Sequence, residues 1–250
     1  AASDVYKRQA KNDHYYDPAS GTYKGGFVIN AEGEKEAIKG RSSFIMKKKV
    51  KVYPDTLCWL KDLTYAYNEP FVREYFSHIG YDNYPVVGVN WHQAQAFCNW
   101  RTQYFNSNAG VRVQAWRLPN EVEWEYAARG GLSGAKYPWG GPYTRNKKGC
   151  FLANFKPLRG NYISDGGFTT VPVGTYEPNG FGLYDMAGNV AEWTGDAFDE
   201  SAYQVTHDLS PYYQITAKKS DNKILKRKVI RGGSWKDIAY FMQCGVRTYE

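Results

Sequence analysis

The sequence predicts an α+β, loop-rich fold with little regular secondary structure, and three observations carry that expectation. Aromatic residues make up 17% of the chain, with Tyr 22, Phe 12 and Trp 8. Rings bring large contact area and a polar edge, so they can fill a core that few helices and strands line. Gly 25 and Pro 11 supply turns throughout. Helical periodicity is confined to two segments, both before residue 132.

In order along the chain, residues 1–45 are polar and hold no period, so they read as an irregular lead-in to a domain spanning 46–250. Residues 44–53, FIMKKKVKVY, alternate in part and predict a strand with a charged outer face. Pro85 to Val89 predict a short buried strand or an extended segment. The run NWHQAQAFCNWRTQYF predicts a helix capped by Asn90, with Trp91, Ala94, Phe97 and Cys98 on its inner stripe. NEVEWEYAARGG predicts a second helix. Asn120 and Glu123 have capping-box spacing, Trp124, Ala127 and Ala128 face inward, and Gly130 or Gly131 closes the end. Beyond it, YPWGG, SDGG, EPNGFG and MAGN punctuate loops and short strands. A chain of 250 residues with 42% hydrophobic content can bury one sizeable core.

The net charge is +7. Its densest runs, Lys47 to Lys51 and Lys218 to Lys228, lack the interleaved rings of a single-strand binder, so nucleic acid is not an expected partner. No apolar run approaches the roughly 18 residues that span a bilayer. Cys58, Cys98, Cys150 and Cys244 are widely spaced and admit several pairings or none; without a CxxC pair, structural zinc is not expected. The opening AASDVYKRQAKND and the closing RTYE carry no start or stop signal. The stretch is therefore expected to be a piece of a longer chain, truncated at its C-terminal side.

Three segments carry a resemblance. They are YPVVGVNWHQAQAFCNWRT (84–102) with RLPNEVEWEYAARGG (117–131), PNGFGLYDMAGNVAEWTGD (178–196), and RGGSW (231–235). In order and spacing the chain resembles the formylglycine-generating-enzyme, or sulfatase-modifying-factor, family over about residues 53–247. That resemblance implies a compact fold of C-type-lectin-like ancestry. Within the family, VYPDTLCWLKDLTYAYNEP (52–70), YPVVGVNW (84–91) and RGGSWKDIAYF (231–241) are similar to the gliding-motility lipoprotein branch, GldK or PorK.

The enzymes of the family hold copper(I) between two cysteine thiolates, because a soft ion selects soft ligands. The resemblance places those thiolates three and eight residues after Ser234. This chain has Asp237 and Met242 there, a hard carboxylate and a weak thioether, and Cys244 stands two residues out of register. The resemblance therefore implies a degenerate active site at Ser234, Asp237 and Met242, no copper and no catalysis. His14, His78, His92 and His207 are scattered and form no iron-binding set.

The family also binds calcium. Its first ligand set carries over onto Asp185, the carbonyls of Gly188 and Val190, and Glu192. The second carries over onto Asn154, the carbonyls of Phe155 and Gly167, and Asp165. Calcium takes six to eight oxygens, and one tight loop alternating side-chain and main-chain donors can supply them. The competing reading is that Asp185 and Glu192 merely accept backbone N–H bonds in turns. Arg117 and Glu125 read as structural, and Trp91, Trp100, Trp124 and Trp193 as packing.

The functional expectation is a non-catalytic component of the type IX secretion and gliding machinery, a periplasmic outer-membrane lipoprotein whose lipid anchor lies outside this stretch. The resemblance implies a homo-oligomeric ring with a GldN/PorN-type partner. The alternatives are a formylglycine-generating oxidase acting on cysteine-containing peptides, or a peptide- or glycan-binding module. A domain without chemistry acts through contacts, and interfaces favour aromatic anchors. Trp59, Tyr65, Tyr67 and Phe71 are the expected anchors, with Lys226 and Lys228 steering an acidic partner.

Overall fold

The computed structural model describes residues 16–17, 20, 22–23, 27–29, 35–38, 50–62, 69–110, 113–157, 159–205, 212–215, 217 and 220–250. Its strands and helices, in chain order, are β1 (Tyr16–Asp17), β2 (Thr22–Tyr23), β3 (Phe27–Ile29), β4 (Lys35–Ala37), α1 (Cys58–Asp62), α2 (Glu69–Glu74), α3 (Trp91–Asn108), α4 (Glu121–Arg129), β5 (Glu192–Ala197), α5 (Ala202–Val205), β6 (Lys228–Arg231) and β7 (Thr248–Tyr249). Short 3-10 turns lie at Ile79–Tyr81 and Lys223–Lys226. Most of the described chain is turn and irregular backbone. Two compact units share it. One joins residues 1–53 to 92–117; the other joins 54–91 to 118–250.

The first unit contains two small antiparallel ladders, β1 with β2 and β3 with β4, in the lead-in where the sequence shows no period. The predicted strand over 44–53 is not formed in its described part: residues 50–53 belong to no strand. The remainder of it lies outside the described residues. Most of α3 belongs here, and its inner stripe differs from the expected one. Gln93 and Ala96 are buried, whereas Phe97 and Trp100 are exposed. Gln93 Nε2 donates to the carbonyls of Lys51 and Tyr53, both at 2.9 Å. A small residue and a satisfied amide let the backbones approach. The rings then stack on one another along the outside, Phe97 on Trp100 at 5.6 Å and Trp100 on Tyr104 at 5.3 Å.

The second unit is built around α4 and the sheet β5–β6–β7. The sheet is antiparallel; Glu192 faces Arg231, Trp193 faces Ile230, and the register shifts before Ala197 faces Lys228. The shift falls at Gly195, whose N–H leaves the ladder to bond the carbonyl of Pro119 at 2.8 Å. Helix α4 forms as its sequence predicts. Asn120 Oδ1 accepts from Glu123 N–H at 2.7 Å, and Glu123 Oε2 accepts from Asn120 N–H at 2.9 Å. Gly130 ends the helix at φ 55°. Trp124 and Ala128 are buried with Cys244 in one core cluster. A second cluster gathers Tyr137, Ala153, Phe155, Ala187 and Met242.

Pro85 to Val89 join no sheet, Gly88 stands in left-handed backbone at φ 69°, and Val86 is 61% exposed. The aromatic stretch before them packs inward. Trp59, expected on an open surface, is 1% exposed. It stacks on Phe71 and Tyr75, both at 4.9 Å, and Phe71 is half-buried with it. A ring of that size loses more hydration cost in the core than it could on a surface. Tyr65 and Tyr67 lie outside the described residues.

Candidate functional site: an oxygen-lined knot beside a closed sulfur site

Three loops of the second unit tie into one knot. The loop from Asp185 to Glu192 turns on two residues in left-handed backbone, Asp185 at φ 55° and Asn189 at φ 62°. At Gly188, φ 77°, an added Cβ would lie 2.3 Å from the carbonyl oxygen of Asn154, so only glycine fits. Asn189 is 1% exposed and was not singled out by the sequence. Its Oδ1 accepts from Val171 N–H at 3.0 Å and its Nδ2 donates to Val171 O at 3.1 Å, copying a strand pair with a side chain. Its backbone N–H reaches Asn154 O at 2.8 Å, and Trp235 N–H reaches its carbonyl at 3.0 Å. The signal for it in the sequence is the Gly-Asn pair, which marks a strained turn rather than a ligand.

Both predicted calcium sets fall in this knot. In the first, Asp185 Oδ2 accepts from Gly174 N–H at 2.8 Å, while Asp185 Oδ1 is buried with no hydrogen-bond partner. Glu192 Oε2 accepts from Trp124 Nε1–H at 2.6 Å. Burial pushes the Glu192 carboxyl up, the Trp124 bond pulls it down, and the nearby Asp185 charge pushes it up again. Neither carbonyl of Gly188 nor of Val190 accepts a hydrogen bond among the described residues. In the second, Asn154 Nδ2 donates to Thr169 O at 2.8 Å, and Asn154 Oδ1 is buried and unpartnered. Gly167 stands beside that oxygen; its added Cβ would come within 3.1 Å of it and 2.6 Å of Val171 Cγ1. Asp165 Oδ2 accepts from Phe155 N–H at 2.6 Å. Burial raises the Asp165 carboxyl, and bonds from Phe155 and Gly167 N–H oppose the rise. Tyr176 links the two sets. Its hydroxyl donates to Asp165 O at 2.7 Å, and its pKa is raised by burial and then by Asp165 and Asp185.

An orphaned buried oxygen costs about 1–3 kcal/mol, and each set contains one. That is the mark of a donor aimed at something other than protein. Among the described residues no three His, Cys, Asp or Glu side chains gather as a metal cluster. A cation here must therefore draw on carboxylate, amide and main-chain oxygens, a donor set that suits a hard ion such as calcium.

The sulfur site is closed. Ser234 Oγ donates to Asp237 Oδ2 at 2.6 Å, and Ser234 N–H reaches the same oxygen at 2.9 Å. Asp237 is thus committed to a local turn. Met242 is 0% exposed, packed among Tyr137, Ala153, Phe155 and Ala187. Cys244 sits in the other cluster, against Trp124 and Ala128. The residues present do not fit copper(I), which requires two thiolates facing one ion.

The RGGSW segment has a different role that sequence reasoning missed. Arg231 is fully buried and bonds Glu121 Oε1 at 3.0 Å and Glu125 Oε2 at 2.6 Å. Arg247 also grips Glu121, through Nε at 2.6 Å and Nη2 at 2.9 Å. Glu125 is structural, as expected, and Glu121 is buried rather than solvated. Of the predicted partner residues, Lys226 is exposed. Lys228 is half-buried with its ammonium 4.3 Å above the Trp91 ring, and burial lowers its pKa against the pull of Asp196. It cannot serve as a free surface charge.

The chain matches the sulfatase-modifying factor enzyme 1-like domain family over residues 29–250. A formylglycine-generating enzyme of Streptomyces coelicolor is 38% identical over 157 residues, 62% of this chain and 43% of that protein. A bovine protein named inactive C-alpha-formylglycine-generating enzyme 2 is 36% identical over 157 residues, 62% of this chain and 40% of its own length. The chain thus spans less than half the length of either. Among solved structures, PvdO from Pseudomonas aeruginosa superposes with a TM-score of 0.51 at 28% identity, covering 67% of this chain and 56% of that one.

Proposed function

Because this chain belongs to the sulfatase-modifying-factor family, we propose that it is a non-catalytic member that keeps the fold and its calcium knot and acts by binding other proteins. The observation that carries the reading is the state of the sulfur site. Met242 is sealed in the core and Asp237 is held by Ser234, where the enzymes need two thiolates. The only nearby thiol, Cys244, is buried in a separate cluster, and burial pushes its pKa up to about 11. A thiol held protonated is a poor ligand and a poor nucleophile. The bovine relative, inactive by name, supports the idea that this family retains members without the reaction.

The similarity of residues 52–70, 84–91 and 231–241 to the GldK/PorK branch supports a place in the type IX secretion and gliding machinery. In that setting the domain is a periplasmic, outer-membrane lipoprotein anchored outside this stretch, in a homo-oligomeric ring with a GldN/PorN-type partner. Calcium would be held by Asp185, Glu192 and the carbonyls of Gly188 and Val190, and by Asn154, Asp165 and the carbonyls of Phe155 and Gly167. When bound, it would neutralise buried carboxylates and fix the loops. The second reading, an oxidase, is favoured by the 38% identity to the Streptomyces enzyme.

The test is direct. The chain is incubated with copper and a cysteine-containing sulfatase-motif peptide, and the peptide is read by mass spectrometry. No conversion is expected; conversion above a control without protein would overturn the non-catalytic reading.

A further inference from the structure

From Tyr126 to Ser164 the chain carries no Asp or Glu, although the whole sequence has 25 of them. The same stretch holds seven cations. Arg129 is paired with Glu125. The other six, Lys136, Arg145, Lys147, Lys148, Lys156 and Arg159, are all exposed. Among the described residues none of them forms an ion pair, in contrast to the exposed Lys61 and Lys236, which do.

The fold gathers these charges instead of scattering them. Lys136 lies over the ring of Tyr137 at 5.6 Å, and Arg145 over Phe151 at 4.0 Å. Tyr137, Phe151 and Phe155 belong to one core cluster, and Lys156 follows Phe155 directly. Lys147 and Lys148 stand at the tip of a hairpin whose base pairs Arg145 with Phe151. The tip is rigid by construction. Asn146 Oδ1 accepts from both Lys148 N–H and Cys150 N–H at 3.0 Å, and Asn146 and Cys150 also share a backbone bond at 2.9 Å. Cations held at fixed positions without an ion-pair partner among the described residues repel one another, a cost of the folded state that an acidic partner would remove.

We infer that this stretch, which has no carboxylate of its own and is centred on the Arg145–Phe151 hairpin, is a docking surface for an acidic polypeptide. A nucleic-acid strand is the less favoured occupant. Such a strand needs open rings between the cations for its bases. Here Tyr137 and Phe155 are buried, Phe151 is covered by Arg145 and Tyr162 by Lys156; Tyr143, 75% exposed, is an open ring but not the series that successive bases need. Four of the six cations are lysines, which meet carboxylates as point charges and lack the bidentate fork that favours phosphate. A recess of about 500 Å³ beside Lys136, floored by Gly131, Ser133 and Gly134, leaves room for a partner side chain. Whether the domain is an oxidase does not enter, because none of these residues belongs to the sulfur site.

The test measures binding of the whole chain to poly-L-glutamate and to a single-stranded oligonucleotide of equal charge, by fluorescence anisotropy across a salt series. Poly-L-glutamate is expected to bind the more tightly at each salt concentration. The pair Lys147→Glu and Lys148→Glu should weaken it by about tenfold or more at low salt, chiefly through slower association. A matched pair outside the stretch, Lys51→Glu and Lys223→Glu, changes the charge equally at exposed positions and should leave affinity within about twofold, as non-interface charges do. Near-ultraviolet circular dichroism confirms that both variants are folded. An equal loss in the two pairs would mean attraction by net charge alone and overturn the proposal. Tighter binding of the oligonucleotide would overturn it in favour of a nucleic-acid surface.

Discussion

The thiol of Cys244 lies against Trp124 and Ala128 with no exposed surface, and burial pushes its pKa up to about 11 from 9.0. In the unfolded chain the same thiol ionises first, near 9. Its contribution to stability is therefore complete below pH 9 and is lost as the pH rises from about 9 to about 11. Urea midpoints should fall across that window more steeply in the parent than in Cys244→Ala; parallel profiles would refute the assignment. Iodoacetamide at pH 8 should label the exposed Cys150 and leave Cys244 untouched until the protein unfolds. Arg231 is the other residue whose environment decides its worth. Removing a buried cation leaves its carboxylates uncompensated, so Arg231→Ala should cost about 3 kcal/mol or more in urea unfolding. The RGGSW segment was legible as a motif but not as a charge clamp. Its partners Glu121 and Glu125 stand more than a hundred residues away, and no local pattern joins them.

At the scale of elements, α4 shows what local sequence can specify. Its capping box and closing glycine are both visible in the sequence, and both form. Asn120→Ala should cost about 1 kcal/mol, read from thermal unfolding. Gly130→Ala should cost more than that, because φ is 55° and the new Cβ would lie 2.7 Å from Gly180 N, a backbone atom that cannot step aside. The far end of the helix is completed from outside. Asn179 Nδ2 donates to the carbonyls of Ala127 and Ala128 at 2.7 and 3.1 Å. By contrast, the face of α3 was misread. Apolar periodicity pointed Phe97 inward, but the buried stripe runs through Gln93 and Ala96. Periodicity ranks rings above a glutamine, whereas the glutamine is the residue with two carbonyls to satisfy. Trp59 was misjudged for a related reason: composition identifies a ring suited to an interface without saying whether the fold has already covered it.

For the whole molecule, the proposed calcium sites in the knot would make stability conditional on the ion. A ligand that binds only the native state at a hundredfold excess over its dissociation constant adds about 2.7 kcal/mol. For a chain of this size that corresponds to a melting shift of about 5–10 °C. A chelator should lower the melting temperature by that much and added calcium should restore it. Asp185→Ala, which removes the orphaned Oδ1, should abolish most of the response. Identical melting curves with and without chelator would sink the assignment. The proposed ligand sets rest on the family resemblance, since Asn154, Asp165, Asp185 and Glu192 form no cluster along the chain. What the sequence could not convey was that Asn189 and Tyr176 would bind the two sets into one knot.

The grip of Arg231 and Arg247 on Glu121 also sets a clock on biosynthesis. Glu121 leaves the ribosome 110 residues before Arg231 and 126 before Arg247. At about 5–20 residues per second that is a delay of roughly 6–25 s. Until Arg231 emerges the carboxylate at the start of α4 lacks both its arginines, and β5, made partway through the interval, has no β6 to pair with. The unit built on α4 therefore cannot be completed until Arg247 has emerged.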